Sequence, residues 1–188
     1  MSPRPRSQPG CRSRSGCRCP PTGPPTSWCG PRAGGGDGVA PLRTGDRAPE
    51  FVTRNQHGQD LRLSAMHGRR VALIFYPWAF SSICTSELTE LRDAQPRLAA
   101  LDLEVLAVSC DPMFSLRAYS DAERLPFDLL TDWWPHGRIA GDYGVFDPER
   151  GCALRGTFIV GPDGVLEHAS VTAIGERRDL LALLGAGG

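Results

Sequence analysis

Val71-Ala72-Leu73-Ile74-Phe75-Tyr76-Pro77-Trp78-Ala79-Phe80-Ser81-Ser82-Ile83-Cys84-Thr85-Ser86-Glu87-Leu88 changes its hydrophobic period part-way along, and that change decides the fold. The first six residues are uninterruptedly apolar, as in a strand buried on both faces of a parallel sheet that helices cover. From Cys84 onward the period becomes helical. Cys84, Leu88, Leu91 and Leu98 recur on one face, while Glu90, Arg92, Asp93 and Arg97 take the others. This spacing predicts one amphipathic helix over 84–98.

Working outward, Phe51-Val52-Thr53, the turn Asn55-Gln56-His57-Gly58 and residues 60–63 read as a hairpin, because glycine permits the positive φ of a tight turn. A second parallel-type strand is expected over 103–109, a helix over 114–123, a short strand over 127–130 and a short helix over 136–143. A hairpin then joins 156–160 to 165–171 through Gly161-Pro162-Asp163-Gly164, and a helix over 179–184 ends the chain. Strand, helix, strand, helix, antiparallel hairpin and final helix describe an α/β sandwich whose mixed central sheet is flanked by helices. The nearest named architecture is the thioredoxin-like fold.

The chain has 188 residues, of which 40% are hydrophobic, enough for one domain plus a tail. No apolar run approaches the roughly 20 residues that cross a bilayer, so no membrane span is expected. All 21 cations are arginine, balanced by 21 acids, and the balance is uneven. Residues 1–40 hold six Arg against one Asp, which leaves 41–188 at net −5 and gives no electrostatic reason to expect nucleic acid as a partner. The same forty residues carry 8 of the 17 Pro and 8 of the 22 Gly without apolar periodicity, and read as a disordered tail. They lack the apolar stretch of a secretory signal, so a cytoplasmic location is expected. Cys11, Cys17, Cys19 and Cys29 match none of the paired zinc spacings. The segment reads as a solvated basic tail or as sequence upstream of the true start, Val39 being one alternative start. Residues 41–188 form the expected domain.

Chemistry concentrates after the buried strand. Cys84 falls in the first turn of the predicted helix, where unpaired backbone N–H groups and the helix dipole favour an anion, and the thiolate is the nucleophilic form of cysteine. Ser81, three residues earlier, can offer a hydroxyl to the sulfur, and Pro77 forms a rigid wall over the loop. Glu87 lies one helical turn beyond Cys84, where a carboxylate works against a thiolate unless a cation neutralises it. Arg155, leading Arg155-Gly156-Thr157-Phe158-Ile159-Val160, is the candidate cation.

Pro77, Ser81, Cys84 and Glu87 in this spacing resemble the active site of the peroxiredoxins, and Arg155-Gly156-Thr157-Phe158 resembles the strand that carries that family's arginine. Asp132-Trp133-Trp134-Pro135-His136-Gly137 and Tyr143-Gly144-Val145-Phe146 look most like the actinobacterial alkyl hydroperoxide reductase E group. The resemblance covers about 42–186. It departs at Ser81, where Thr is commoner, and the tail has no counterpart.

What the resemblance implies is a thiol peroxidase that works without metal, haem or flavin. Cys84 attacks a peroxide and becomes a sulfenic acid, Arg155 and the Cys84 backbone N–H take up developing charge, Ser81 orients the peroxide, Pro77 shields the sulfur and Glu87 holds Arg155. It also implies a homodimer or an assembly of dimers. Plainer readings exist: Cys84 as a small buried hydrophobe, Glu87 and Arg155 as a surface pair, Trp78, Trp133 and Trp134 as core or interface packing. A thiol–disulfide oxidoreductase would share the fold but needs a cysteine where Ser81 stands, and a non-enzymatic redox sensor would use the same sulfenic acid. For the return step, Cys110 ends a strand near Cys84, whereas Cys152 points away if 152–155 is one extended stretch. The expectation is a one-cysteine cycle, reduced by a small thiol or by a glutaredoxin- or thioredoxin-like protein.

Overall fold

A computed structural model describes residues 42–185, and the tail expected over 1–40 lies outside the described residues. In chain order the elements are β1 (Val52–Asn55), β2 (Asp60–Arg62), a 3-10 turn (Leu63–Met66), β3 (Arg70–Phe75), α1 (Ser82–Asp93), α2 (Gln95–Ala100), β4 (Leu103–Ser109) and α3 (Met113–Glu123). There follow β5 (Asp128–Thr131), α4 (Arg138–Asp142), the two-residue strands β6 (Phe146–Asp147) and β7 (Cys152–Ala153), β8 (Arg155–Val160), β9 (Leu166–Thr172) and α5 (Leu180–Gly185).

The main sheet runs β2-β1-β5-β4-β3-β8-β9. β3, β4 and β5 are parallel, and β8 and β1 flank them antiparallel, which is the expected mixed sheet. Why 71–76 is wholly apolar is now visible. Ala72, Ile74 and Tyr76 enter the core beneath α1, α2, α3 and α5, while Val71, Leu73 and Phe75 enter the core on the opposite face with Ile139 and Tyr143 of the α4 region. Period-2 alternation is present but invisible in the sequence, because both faces are apolar.

Two expectations need correction. The helix over 84–98 is two helices. α1 ends at Asp93, Ala94 caps it and also opens α2, and α2 has Pro96 in its first turn, where the missing N–H costs nothing but cannot continue the α1 ladder. Leu98 still joins the same core, so the apolar repeat misread one helix from two that share a face. β6, β7 and the 3-10 turn were also not expected, being too short for a periodic signal. No helix among the described residues is long and apolar enough to cross a membrane.

Candidate active site

Because β3 and β4 are parallel, the segments leaving their carboxyl ends meet at one edge of the sheet. Pro77 leaves β3 buried and Trp78 turns outward. Two anchors hold the next residues. The Ala79 N–H donates to Asp111 Oδ2 at 2.9 Å, an oxygen that also accepts from the Ser109 hydroxyl at 2.9 Å. The Phe80 ring packs on Tyr119 at 4.9 Å between centroids, and the Tyr119 hydroxyl donates to Thr85 Oγ1 at 3.0 Å. Burial pushes the Tyr119 phenol up to about 12, so it stays a proton donor at neutral pH. Phe80 has φ 63°, a left-handed conformation that a bulky side chain rarely adopts, and the anchors on either side keep it there.

Ser81 is the N-cap of α1, with its carbonyl accepting the Thr85 N–H at 2.8 Å and its side chain making no cap hydrogen bond. Cys84 lies in the first turn, fully buried, one residue before that first intrahelical bond. Its own N–H therefore belongs to the set a helix leaves without an intrahelical acceptor.

Arg155 opens β8 on the same face as Ile159, the face covered by α1. Its Nη2 donates to Cys84 Sγ at 3.5 Å, Nη1 to Glu87 Oε2 at 2.8 Å and Nε to the Ile174 carbonyl at 2.8 Å. A second arginine, which the sequence reading missed, completes the cluster. Arg178 donates to Glu87 from its backbone N–H (2.7 Å), Nε (3.3 Å) and Nη2 (2.8 Å), and from Nη1 to the Gly156 carbonyl (2.8 Å) and Thr157 Oγ1 (3.1 Å). Burial draws the Arg178 guanidinium below its ordinary value, and the Glu87 carboxylate opposes that. All three side chains are buried, so the ion pairs survive only because nearly every donor is satisfied. Two guanidiniums against one carboxylate leave a single positive charge, and the sulfur is what faces it.

The structure thus brings Cys84, Glu87 and Arg155 into contact and sets Ser81 at the N-cap and Pro77 in the loop before it. Of the two packing readings for the tryptophans, core packing is excluded: Trp78, Trp133 and Trp134 are 40%, 52% and 84% exposed in the single chain. Cys110 and Cys152 are buried, free thiols, pushed by burial up to about 12 and about 11. The premise about Cys152 also changes. Residues 152–155 are not one strand: the Leu154 N–H bonds the Val145 carbonyl at 2.6 Å and the Gly156 N–H turns back to the Leu154 carbonyl at 3.0 Å. Among the described residues no group of three or more His, Cys, Asp or Glu is arranged to hold a metal ion.

Comparison with known proteins agrees with this geometry. The AhpC/TSA family pattern matches residues 44–169. Alkyl hydroperoxide reductase E of Mycobacterium tuberculosis is 39% identical over 139 residues, 73% of this chain and 91% of that protein. A putative peroxiredoxin of Synechocystis, sll0755, is 34% identical over 140 residues, 69% of each chain. Among solved structures, peroxidoxin BcpB of M. tuberculosis superposes with a TM-score of 0.68 at 28% identity, covering 77% of this chain and 97% of that one. AhpC of Enterococcus faecalis does so with a TM-score of 0.70 at 27% identity, covering 78% and 92%. With a family match from residue 44 to residue 169 and a relative 39% identical over 91% of its own length, the chain belongs to the AhpC/TSA family of peroxiredoxins.

Proposed function

We infer that this chain is a thiol-dependent peroxidase of antioxidant defence, acting on hydrogen peroxide and organic hydroperoxides, with Cys84 as its nucleophile. The observation that carries the reading is the guanidinium of Arg155, 3.5 Å from Cys84 Sγ and fixed there by Glu87. The thiolate attacks the terminal peroxide oxygen. The S–O bond forms as the O–O bond breaks, the sulfur is oxidised to sulfenic acid, and the leaving oxygen takes a proton to depart as water or an alcohol. Arg155 and the Cys84 N–H stabilise the charge that develops on the two oxygens, Ser81 orients the peroxide through its hydroxyl, Pro77 keeps water from the sulfur and Glu87 positions Arg155. A steady-state assay with added thiol tests this. Wild-type chain turns over peroxide and Cys84→Ser does not, whereas turnover retained in Cys84→Ser contradicts the assignment.

The cycle is of the one-cysteine type. Resolution by an internal thiol depends on its thiolate fraction, and burial keeps Cys110 and Cys152 protonated at neutral pH. An external thiol, small or carried by a glutaredoxin- or thioredoxin-like protein, attacks the sulfenic sulfur with loss of water, and a second thiol breaks the mixed disulfide. Free Cys84, Cys110 and Cys152 support work in the reducing cytoplasm. Exposed Phe80, Phe114, Trp133 and Trp134 support a homodimer that covers them.

A further inference from the structure

The peroxide site uses the carboxyl edge of the sheet. At the opposite end lies a cleft of about 280 Å³ that the peroxidase chemistry does not touch. It is lined by Val71 at the start of β3, while the loop to Cys84 leaves from the other end, about 13 Å of strand away.

The floor of this cleft is apolar, formed by buried Leu63, Met66, Val71 and Val160. Its rim carries three arginines, Arg47, Arg62 and Arg69, with the His67 imidazole among them. Two of these donors converge: His67 Nε2 and Arg47 Nη1 both lie within 4 Å of the point where a Cβ on Gly164 would stand. The arginines are weakly committed. Arg47 Nη1 reaches only the Asp163 carbonyl, at 3.4 Å, and among the described residues Arg62 has no hydrogen bond or ion pair. Arg69 is paired with Glu104 at 2.6 Å; Glu50, the one acidic residue among the described residues that line the cleft, is engaged by the Ser64 hydroxyl at 2.9 Å, and the Asp163 and Glu167 carboxylates beside Gly161 are engaged by the Val165 N–H and by Arg70.

We propose that this cleft binds a small organic anion, its oxyanion head held by Arg47, Arg62 and His67 and its apolar body, the size of one ring or a short chain, laid on Leu63 and Met66. An inorganic ion would leave the floor wet, and a neutral apolar molecule would leave the arginines without an acceptor.

Calorimetric titration of the full chain with phenyl phosphate, benzoate, inorganic phosphate and benzyl alcohol tests this. Phenyl phosphate or benzoate binds with a Kd below about 1 mM, and the tighter of the two identifies the head group. That ligand binds roughly tenfold more tightly than inorganic phosphate, because only it dries the floor. Arg47→Ala and Arg62→Ala each weaken it about tenfold by removing a charge-assisted hydrogen bond, and Glu50→Gln tightens it. Peroxide turnover of Arg62→Ala equals that of wild type, and Cys84→Ser binds the ligand unchanged, so this proposal and the peroxidase reading fail separately. The proposal is overturned if neither organic anion saturates below about 10 mM, if inorganic phosphate or benzyl alcohol binds as tightly, or if both arginine variants bind like wild type.

Discussion

Glu87 accepts from two buried guanidiniums and a backbone N–H, which makes it the residue on which the site's geometry turns. Its removal strands two buried cations, so Glu87→Gln lowers unfolding free energy by about 3–5 kcal/mol. Urea denaturation measures this, and a loss under about 1 kcal/mol would show that water screens the cluster. Arg155→Ala leaves Glu87 still paired with Arg178 and slows sulfenic acid formation by on the order of 10²-fold, the cost of losing one donor to developing charge. Stopped-flow rates within a factor of two of wild type would remove Arg155 from the chemistry. At this scale the sequence was partly legible. Pro77, Ser81, Cys84 and Glu87 lie within eleven residues of one another, so spacing alone groups them, and the need to neutralise Glu87 pointed to Arg155. Arg178 was not legible. It follows Arg177 in an aperiodic stretch before α5, and nothing local tells that Arg177 pairs with Glu90 at the surface while Arg178 turns inward.

Ser81 heads α1 without a side-chain cap bond, so Ser81→Ala shifts the urea midpoint little, in contrast to the roughly 1 kcal/mol a working cap contributes. Its effect falls on the peroxide reaction instead; a full cap-sized loss of stability with unchanged turnover would assign Ser81 to the helix and not to the chemistry. Gly137 at the head of α4 carries a sharper constraint. Its φ is 69°, and a Cβ there would stand 2.1 Å from Phe146 Cε2, so Gly137→Ala combines backbone strain with a ring displaced from its packing. The expected cost is at least about 2 kcal/mol, and an unchanged midpoint would show that the turn rearranges freely. Element existence was legible where a run was long, as in β3 and β4. It failed where two short helices shared one face across Pro96, and where β6 and β7 form a local hairpin of two residues a strand, too short to show alternation.

The molecule as a whole buries several groups in their neutral forms. Burial raises Cys152 to about 11, Cys110 and Tyr119 to about 12, and raises the Tyr76 and Tyr143 phenols as well. Each folded value lies above its ordinary one, 9.0 for a thiol and 10.0 for a phenol. The stability these groups contribute is therefore present in full below the ordinary values and lost as pH rises through about 11 and 12. The urea midpoint is lower near about pH 11 than near about pH 8, and equal midpoints contradict it. Assembly is tested at the same scale. The proposed homodimer covers Trp134, 84% exposed in the single chain, and predicts that Trp134→Glu shifts sedimentation toward monomer while the fold stays intact. An unchanged sedimentation coefficient would put the interface elsewhere. The α/β class and mixed sheet were legible from the order of elements; the exposure of the tryptophans was not, since an aromatic reads alike in a core and on an uncovered surface.

Mass spectrometry of the full chain after one equivalent of peroxide tests the central claim most directly. One oxygen atom on the peptide that carries Cys84, replaced by a mixed disulfide when thiol is added, is the predicted result. An unmodified Cys84 peptide beside consumed peroxide, or a stoichiometric disulfide from Cys84 to Cys110 or Cys152 before thiol is added, would contradict it.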